Sequence, residues 1–281
     1  MGSNTRRSSG HERIAAAKRA REQAARRRQR MPYAIGGAAV VVIAIIVIIV
    51  LVSGNNTTDS GVTTGTDPTN TTTATDAGFT YGTAPCAPTT VPSPPTLDFA
   101  GTNGFTKCID PASKYVATFT TTAGTIKVDL DVSRTPGTTN NFVQLAGYGY
   151  YNTSRLFRTD TSIGIIQGGA PHTNSPSDPG PGYTISDEGG KFTYQPGQLV
   201  MARTAGPNSA GSQFFFTVDD KAKALDAQGT YVVFGTVTQG LDVLQQVLAT
   251  NVDSGNLGGA PSPEVTVISV TIGQASLVPG G

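Results

Sequence analysis

Gly124-Thr-Ile-Lys-Val-Asp-Leu-Asp-Val132 alternates without a break: Ile126, Val128, Leu130 and Val132 fall on one face, Lys127, Asp129 and Asp131 on the other. A strict period of two describes a half-buried β-strand. Tyr115–Thr121 runs ahead of it and Ala123-Gly124 supplies a turn, so the pair reads as a hairpin. Working outward, the same texture returns at Ile163–Gly168, Gln198–Arg203, Gln213–Val218, Tyr231–Val237 and Glu264–Ile272. Two segments carry helical spacing instead. Pro136 can open a helix that turns Phe142, Leu145 and Ala146 inward, and Gly240–Thr250 repeats the pattern with Leu241, Leu244, Val247 and Leu248. Many short strands with two helices predict a mainly β domain: a closed antiparallel barrel whose openings the helices cover. The domain is placed at 115–273, with a short tail over 274–281. That length suffices for a core of its own.

Ahead of this domain the chain changes character three times. Residues 1–31 hold ten Lys or Arg and two Glu, a formal charge of +8, so the +1 of the whole chain leaves −7 for the rest. Ala34 to Val52 then runs without a charge, rich in Val, Ile and Ala. At about 1.5 Å per residue, such a stretch matches a hydrocarbon core of roughly 30 Å. A buried soluble helix and a cleaved signal peptide are the alternatives. The polar flank argues against the first, and the long charged region and long apolar run against the second. Residues 32–53 are read as a single transmembrane helix, with the basic tail cytoplasmic and everything beyond Ser53 outside. The tail can attract anionic lipid. Without interleaved aromatic residues it does not read as a nucleic-acid binder.

Residues 54–85 are read as a disordered linker, because ten of the twenty residues from Thr57 to Asp76 are Thr. Its Asn-x-Thr triplets would accept glycans only in a eukaryotic secretory context. Residues 86–114 are Pro-rich and carry Cys86 and Cys108. Outside the cytoplasm these two can pair, closing a loop that contributes about 3 kcal/mol in the chain-entropy account; two free thiols are the alternative.

Composition limits the chemistry. Cys86, Cys108, His11 and His172 are the whole supply of their types. A zinc finger, a histidine metal centre and an ordinary Ser-His-Asp triad are excluded as readings.

Three segments resemble the cyclophilin-type peptidyl-prolyl cis-trans isomerases: Tyr151-Asn-Thr-Ser-Arg-Leu-Phe-Arg158 running on to Gln167-Gly-Gly169; Met201-Ala-Arg-Thr-Ala-Gly-Pro-Asn-Ser-Ala-Gly-Ser-Gln-Phe-Phe215; and Leu225-Asp226 followed by Tyr231-Val-Val-Phe-Gly235. The resemblance covers about 115–272 and implies an eight-stranded closed barrel with two capping helices. It implies isomerisation of X–Pro bonds, with no cofactor and no metal. Partners would be proline-containing polypeptides outside the cytoplasm, met by a monomeric domain.

The sparse composition suits that reaction. Rotation about an X–Pro amide loses resonance, a barrier of about 18–20 kcal/mol, and breaks no bond. In the twisted amide the prolyl nitrogen gains a lone pair, and a fixed guanidinium aimed at it binds the transition state better than the planar ground state. By the resemblance Arg158 takes this catalytic role. Gln167 would position it and touch substrate backbone, and Gln213 would line the groove. Ile165, Phe215 and Leu225 would form the proline pocket, with Tyr231 at its rim. Ala202 and Arg203 would offer backbone contacts.

The chain departs from the family at several places. Phe157 stands where a His usually precedes the Arg. Gly164 falls at a pocket Phe, whose space Ile163 can fill because one extra residue lies between Arg158 and Gln167. Ala224 aligns with the Trp of cyclosporin-sensitive members, and one residue is inserted between Ala202 and Gly206. These changes predict a shallower pocket, reduced activity and weak cyclosporin binding. The basic tail, single anchor, Thr-rich tether and paired cysteines look like an actinobacterial surface isomerase. The alternative is a cyclophilin-fold module that holds Pro-containing segments of an envelope partner with little turnover.

Overall fold

The computed structural model describes residues 78–255 and 257–276. The basic tail, the apolar stretch 32–53, the linker up to residue 77 and the last five residues lie outside the described residues. Among those described, no helix is long and apolar enough to cross a membrane.

The opening hairpin forms as its alternation predicts. Strands β1 (Ser113–Thr121) and β2 (Gly124–Leu130) pair antiparallel, Phe119 opposite Ile126 and Ala117 opposite Val128. Ile126, Val128 and Leu130 are buried while Lys127 is exposed. The elements that follow are α1 (Pro136–Gly147), β3 (Arg158–Asp160), β4 (Ile165–Gly168), β5 (Gln198–Met201), β6 (Phe214–Thr217) and a 3-10 helix (Asp220–Leu225). Then come β7 (Val233–Gln239), α2 (Leu241–Ala249), β8 (Asn251–Asp253), β9 (Gly259–Pro261) and β10 (Val267–Ser276). Three short strands, β3, β8 and β9, lack enough residues to show a period and have no counterpart in the sequence reading.

The closed eight-stranded barrel is corrected. The strands form one ten-stranded antiparallel sheet in the order β10-β1-β2-β7-β5-β6-β4-β3-β9-β8, and no ladder joins its two ends among the described residues. The β8–β9 hairpin takes the free edge of β3 through Thr159 and Gly259. What remains for closure is an isolated bridge, Arg155 with Thr266, flanked by Leu156 N–H to Val265 O and Val267 N–H to Ser154 O.

Aromatic residues fill the core. Phe119, Phe142, Phe214, Phe216 and Phe234 are wholly buried, and Phe119 meets Phe214 at 5.5 Å and Phe216 at 5.3 Å, both edge-on. Each such pair contributes about 0.5–1.5 kcal/mol beyond the area it buries. Helix α1 lays Phe142, Leu145 and Ala146 on this core, as its spacing predicts, and α2 does the same with Leu244, Val247 and Leu248.

Residues ahead of the domain start read at Tyr115 are packed as well. Ala84, Phe99, Phe105 and Ile109 are buried, and the segment crosses the outer face of α1. Gly137 and Gly147 make room for it: an added Cβ would lie 2.2 Å from the Phe79 ring and 2.5 Å from Ala87. Asn140 Oδ1 accepts from the backbone N–H of Cys108 at 2.8 Å and of Ile109 at 3.1 Å, while its Nδ2 donates to Thr106 O at 3.0 Å. Gln144 Oε1 accepts from Ala87 N–H at 2.7 Å. Cys86 and Cys108 form a disulfide that closes this strap.

Candidate active site

Strand register sorts the side chains before any contact is considered. Arg158 faces Gln167 across β3–β4, Gln167 faces Phe215 across β4–β6, and Phe215 faces Val200 across β6–β5. Because successive side chains point to opposite faces, this row and the row Asp160–Ile165–Thr217 share one side of the sheet. The intervening row, Thr159–Ile166–Phe216, turns to the aromatic core. Four residues named from sequence, Arg158, Ile165, Gln167 and Phe215, are thus gathered on one face by pairing alone.

Arg158 is only 8% exposed, and its guanidinium is held on three sides. Nε donates to Leu257 O at 2.5 Å, Nη1 to Gln167 Oε1 at 2.9 Å and Nη2 to Asp160 Oδ2 at 2.7 Å. Three of its five N–H groups are engaged in this way, leaving one on each terminal nitrogen. The Leu257 contact depends on a glycine. Gly258 has φ +83°, and a Cβ there would stand 2.4 Å from Thr159 O, so only glycine lets the β8–β9 turn close on β3.

From Arg158 the polar chain runs on. Gln167 Nε2 donates to Gln213 Oε1 at 2.9 Å, and Gln213 Nε2 reaches Pro176 O at 3.3 Å. The amide orientations follow from this order, since each Gln oxygen must accept and each nitrogen donate. A second cluster is apolar. Phe215 and Tyr231 meet edge-on at 5.7 Å, and the Arg203 guanidinium lies 5.4 Å from the Tyr231 ring centre. Tyr231 is held through its backbone: its N–H donates to the Tyr194 hydroxyl at 2.9 Å, and that hydroxyl donates to Tyr231 O at 3.0 Å. Burial pushes the Tyr194 phenol up to about 12, so the proton needed for the second bond stays in place.

Arg203 is a tie within the protein. Nη1 donates to Gly206 O at 2.7 Å and Thr204 O at 3.1 Å, Nη2 to Thr230 Oγ1 at 2.6 Å, and Nε lies 3.6 Å from Asp187 Oδ2. These contacts organise the loop that carries the extra residue. Ala202 donates its N–H to Gln213 O at 2.9 Å. Leu225 is buried at the end of the 3-10 helix, whose N-terminus Asp219 caps by accepting from Lys221 N–H. The direct contacts therefore join Arg158, Gln167 and Gln213 in one chain and Phe215, Tyr231 and Arg203 in another. The Gln167–Phe215 pairing links the two.

The departures have physical forms. Gly164 has φ +60°, and an added Cβ would lie 2.1 Å from Asp219 Oδ1, so no ring can stand there. Ile163 is half-buried against the core, Phe157 is half-buried, and Ala224 is exposed. Sequence reasoning missed Asp160, Leu257 and Pro176. The last two act through carbonyls, which any residue supplies. Asp160 lies on a strand of three residues, too short to show a period in the sequence.

With this geometry described, comparison with known proteins is informative. A family model for cyclophilin type peptidyl-prolyl cis-trans isomerase/CLD matches residues 116–272. The chain is 33% identical over 179 residues to a probable peptidyl-prolyl cis-trans isomerase B of Mycobacterium leprae, covering 58% of each protein. It is 36% identical over 134 residues to peptidyl-prolyl cis-trans isomerase B of Bacillus subtilis, covering 47% of this chain and 85% of that protein. A solved Cryptosporidium parvum cyclophilin type isomerase aligns with a TM-score of 0.49 at 28% identity, covering 57% of this chain and 98% of that one. The chain thus spans a little under three fifths of the mycobacterial relative's length.

Proposed function

This chain belongs to the cyclophilin-type peptidyl-prolyl cis-trans isomerases, and on that premise we propose that it accelerates X–Pro isomerisation in extracytoplasmic polypeptides while tethered to the membrane. The observation that carries the catalytic part is the buried Arg158 guanidinium, fixed by three hydrogen bonds, with a free N–H on each terminal nitrogen. A proline ring seated near Phe215, Ile165 and Leu225 would bring its amide to that guanidinium. Gln167 and the Ala202 carbonyl would hold the flanking backbone. As the C–N bond twists, the nitrogen lone pair that emerges accepts from Arg158, and the planar ground state offers no such acceptor. Uncatalysed isomerisation takes tens of seconds or more, long enough to limit folding of secreted chains.

The tether rests on sequence: the apolar run of residues 34–52 and the basic residues ahead of it. The disulfide between Cys86 and Cys108 supports an oxidising compartment for the folded part.

Two measurements test the reading. Exchange spectroscopy on a panel of X–Pro peptides should show cis–trans interconversion faster with the purified chain than in buffer. Binding without acceleration would favour a module that only holds proline segments. Protease added to intact cells should release the folded part, and a domain protected until lysis would reverse the proposed topology.

A further inference from the structure

A guanidinium on a flexible stem serves as a transition-state donor only if its plane is fixed, so what aims Arg158 matters as much as Arg158 itself. Two of its three partners are neutral, the Gln167 amide and the Leu257 carbonyl. The third, Asp160, carries the charge. The pleat of β3 puts Asp160 beside Arg158, two residues on and opposite Ile165. Its carboxylate is itself held: Oδ1 accepts from Ser162 N–H at 3.0 Å and from the Ser162 hydroxyl at 2.6 Å, which turns Oδ2 toward Arg158 Nη2 at 2.7 Å. Both side chains of the pair are about nine-tenths buried, at 10% and 8% exposure. Burial alone would raise the Asp160 carboxyl, but the Ser162 bonds and the Arg158 charge outweigh it and hold the group below its ordinary value. The carboxylate is therefore ionised at neutral pH.

We propose that Asp160, locked by Ser162, is a positioning residue for Arg158. Its carboxylate fixes the guanidinium plane so that the remaining N–H groups face the prolyl nitrogen. This inference rests on the isomerase reading.

The alternative, an ion pair that only stabilises the fold, is separated by a double-mutant cycle in the full chain. The variants are Asp160→Ala, Asp160→Asn, Ser162→Ala, Arg158→Ala and Arg158→Ala/Asp160→Ala. The turnover rate and dissociation constant for an Ala-Pro peptide are read by exchange spectroscopy. Asp160→Ala should lower turnover by about 10- to 100-fold, as a misaimed catalytic group does, with affinity within about twofold. Asp160→Asn should recover part of the loss because its oxygen still accepts, and Ser162→Ala should lose several-fold. The double variant should be no slower than Arg158→Ala, because Asp160 acts only through that arginine.

Turnover of Asp160→Ala and Asp160→Asn within about twofold of wild type would overturn the assignment. So would a loss that adds in full to that of Arg158→Ala, or one confined to affinity. If Asp160→Ala does not fold, the Asp160→Asn and Ser162→Ala pair decides. A wild-type chain no faster than buffer would remove the isomerase reading as well, which distinguishes that failure from this one.

Discussion

Gly164 is the residue where the chain's departure from its family has the clearest physical cause. With φ +60° it occupies the left-handed region, and the Asp219 carboxylate sits where its Cβ would be. Asp219 in turn caps the 3-10 helix that ends at Leu225, which is placed in the proline pocket by the proposed function. The position cannot contribute an aromatic wall. Ala224, exposed on the same 3-10 helix, adds no ring there either. Gly164→Ala should cost about 2 kcal/mol, from backbone strain and displacement of the cap. A urea midpoint unchanged from wild type would show that the turn relaxes freely.

Among the elements, α1 is the one whose surroundings differ most from its sequence pattern. Its apolar side behaves as spaced, but Asn140 and Gln144 on its other side are buried too, under the strap of residues 79–110. Asn140 satisfies two strap N–H groups and one carbonyl. Asn140→Ala should therefore destabilise by about 2–3 kcal/mol, because two buried N–H groups lose their acceptor. A thermal or urea transition within about 0.5 kcal/mol of wild type would argue that the strap contributes no packing.

How much was legible followed from how each element is specified. The β1–β2 hairpin carries its own period, so its face and register could be read directly. The strap is a Pro-rich segment with scattered Phe and Ile, and its burial depends on the room that Gly137 and Gly147 leave in a helix far along the chain from Phe79 and Ala87. Strand β3 has three residues, too few for a period, and with it went the position of Asp160. Arg158, Gln167, Gln213 and Phe215 could be named from motifs, and hydrogen bonds and strand pairing join them. Arg203 was read as offering backbone contacts, and its guanidinium ties down the loop that leads to Gly206.

At the scale of the whole molecule, the near-neutral charge of +1 hides a basic N-terminus and an acidic remainder. The family match begins at residue 116, whereas among the described residues packing reaches back to Phe79, so the strap and its disulfide lie ahead of the matched domain. That addition packs on α1, and α1 reaches the groove through Asn141, whose Nδ2 donates to Gly211 O at 2.8 Å, two residues before Gln213. The scarcity of His and Cys suits the proposed reaction, which transfers no proton and forms no covalent intermediate and asks only for one oriented guanidinium as donor. The account stands or falls on that guanidinium. The most direct measurement is exchange spectroscopy on one X–Pro peptide with wild type and Arg158→Ala, reading turnover and dissociation constant together. Loss of one preorganised donor predicts turnover about 100-fold lower or more, with affinity nearly unchanged. Equal turnover in the two proteins, or a loss wholly in affinity, would contradict it.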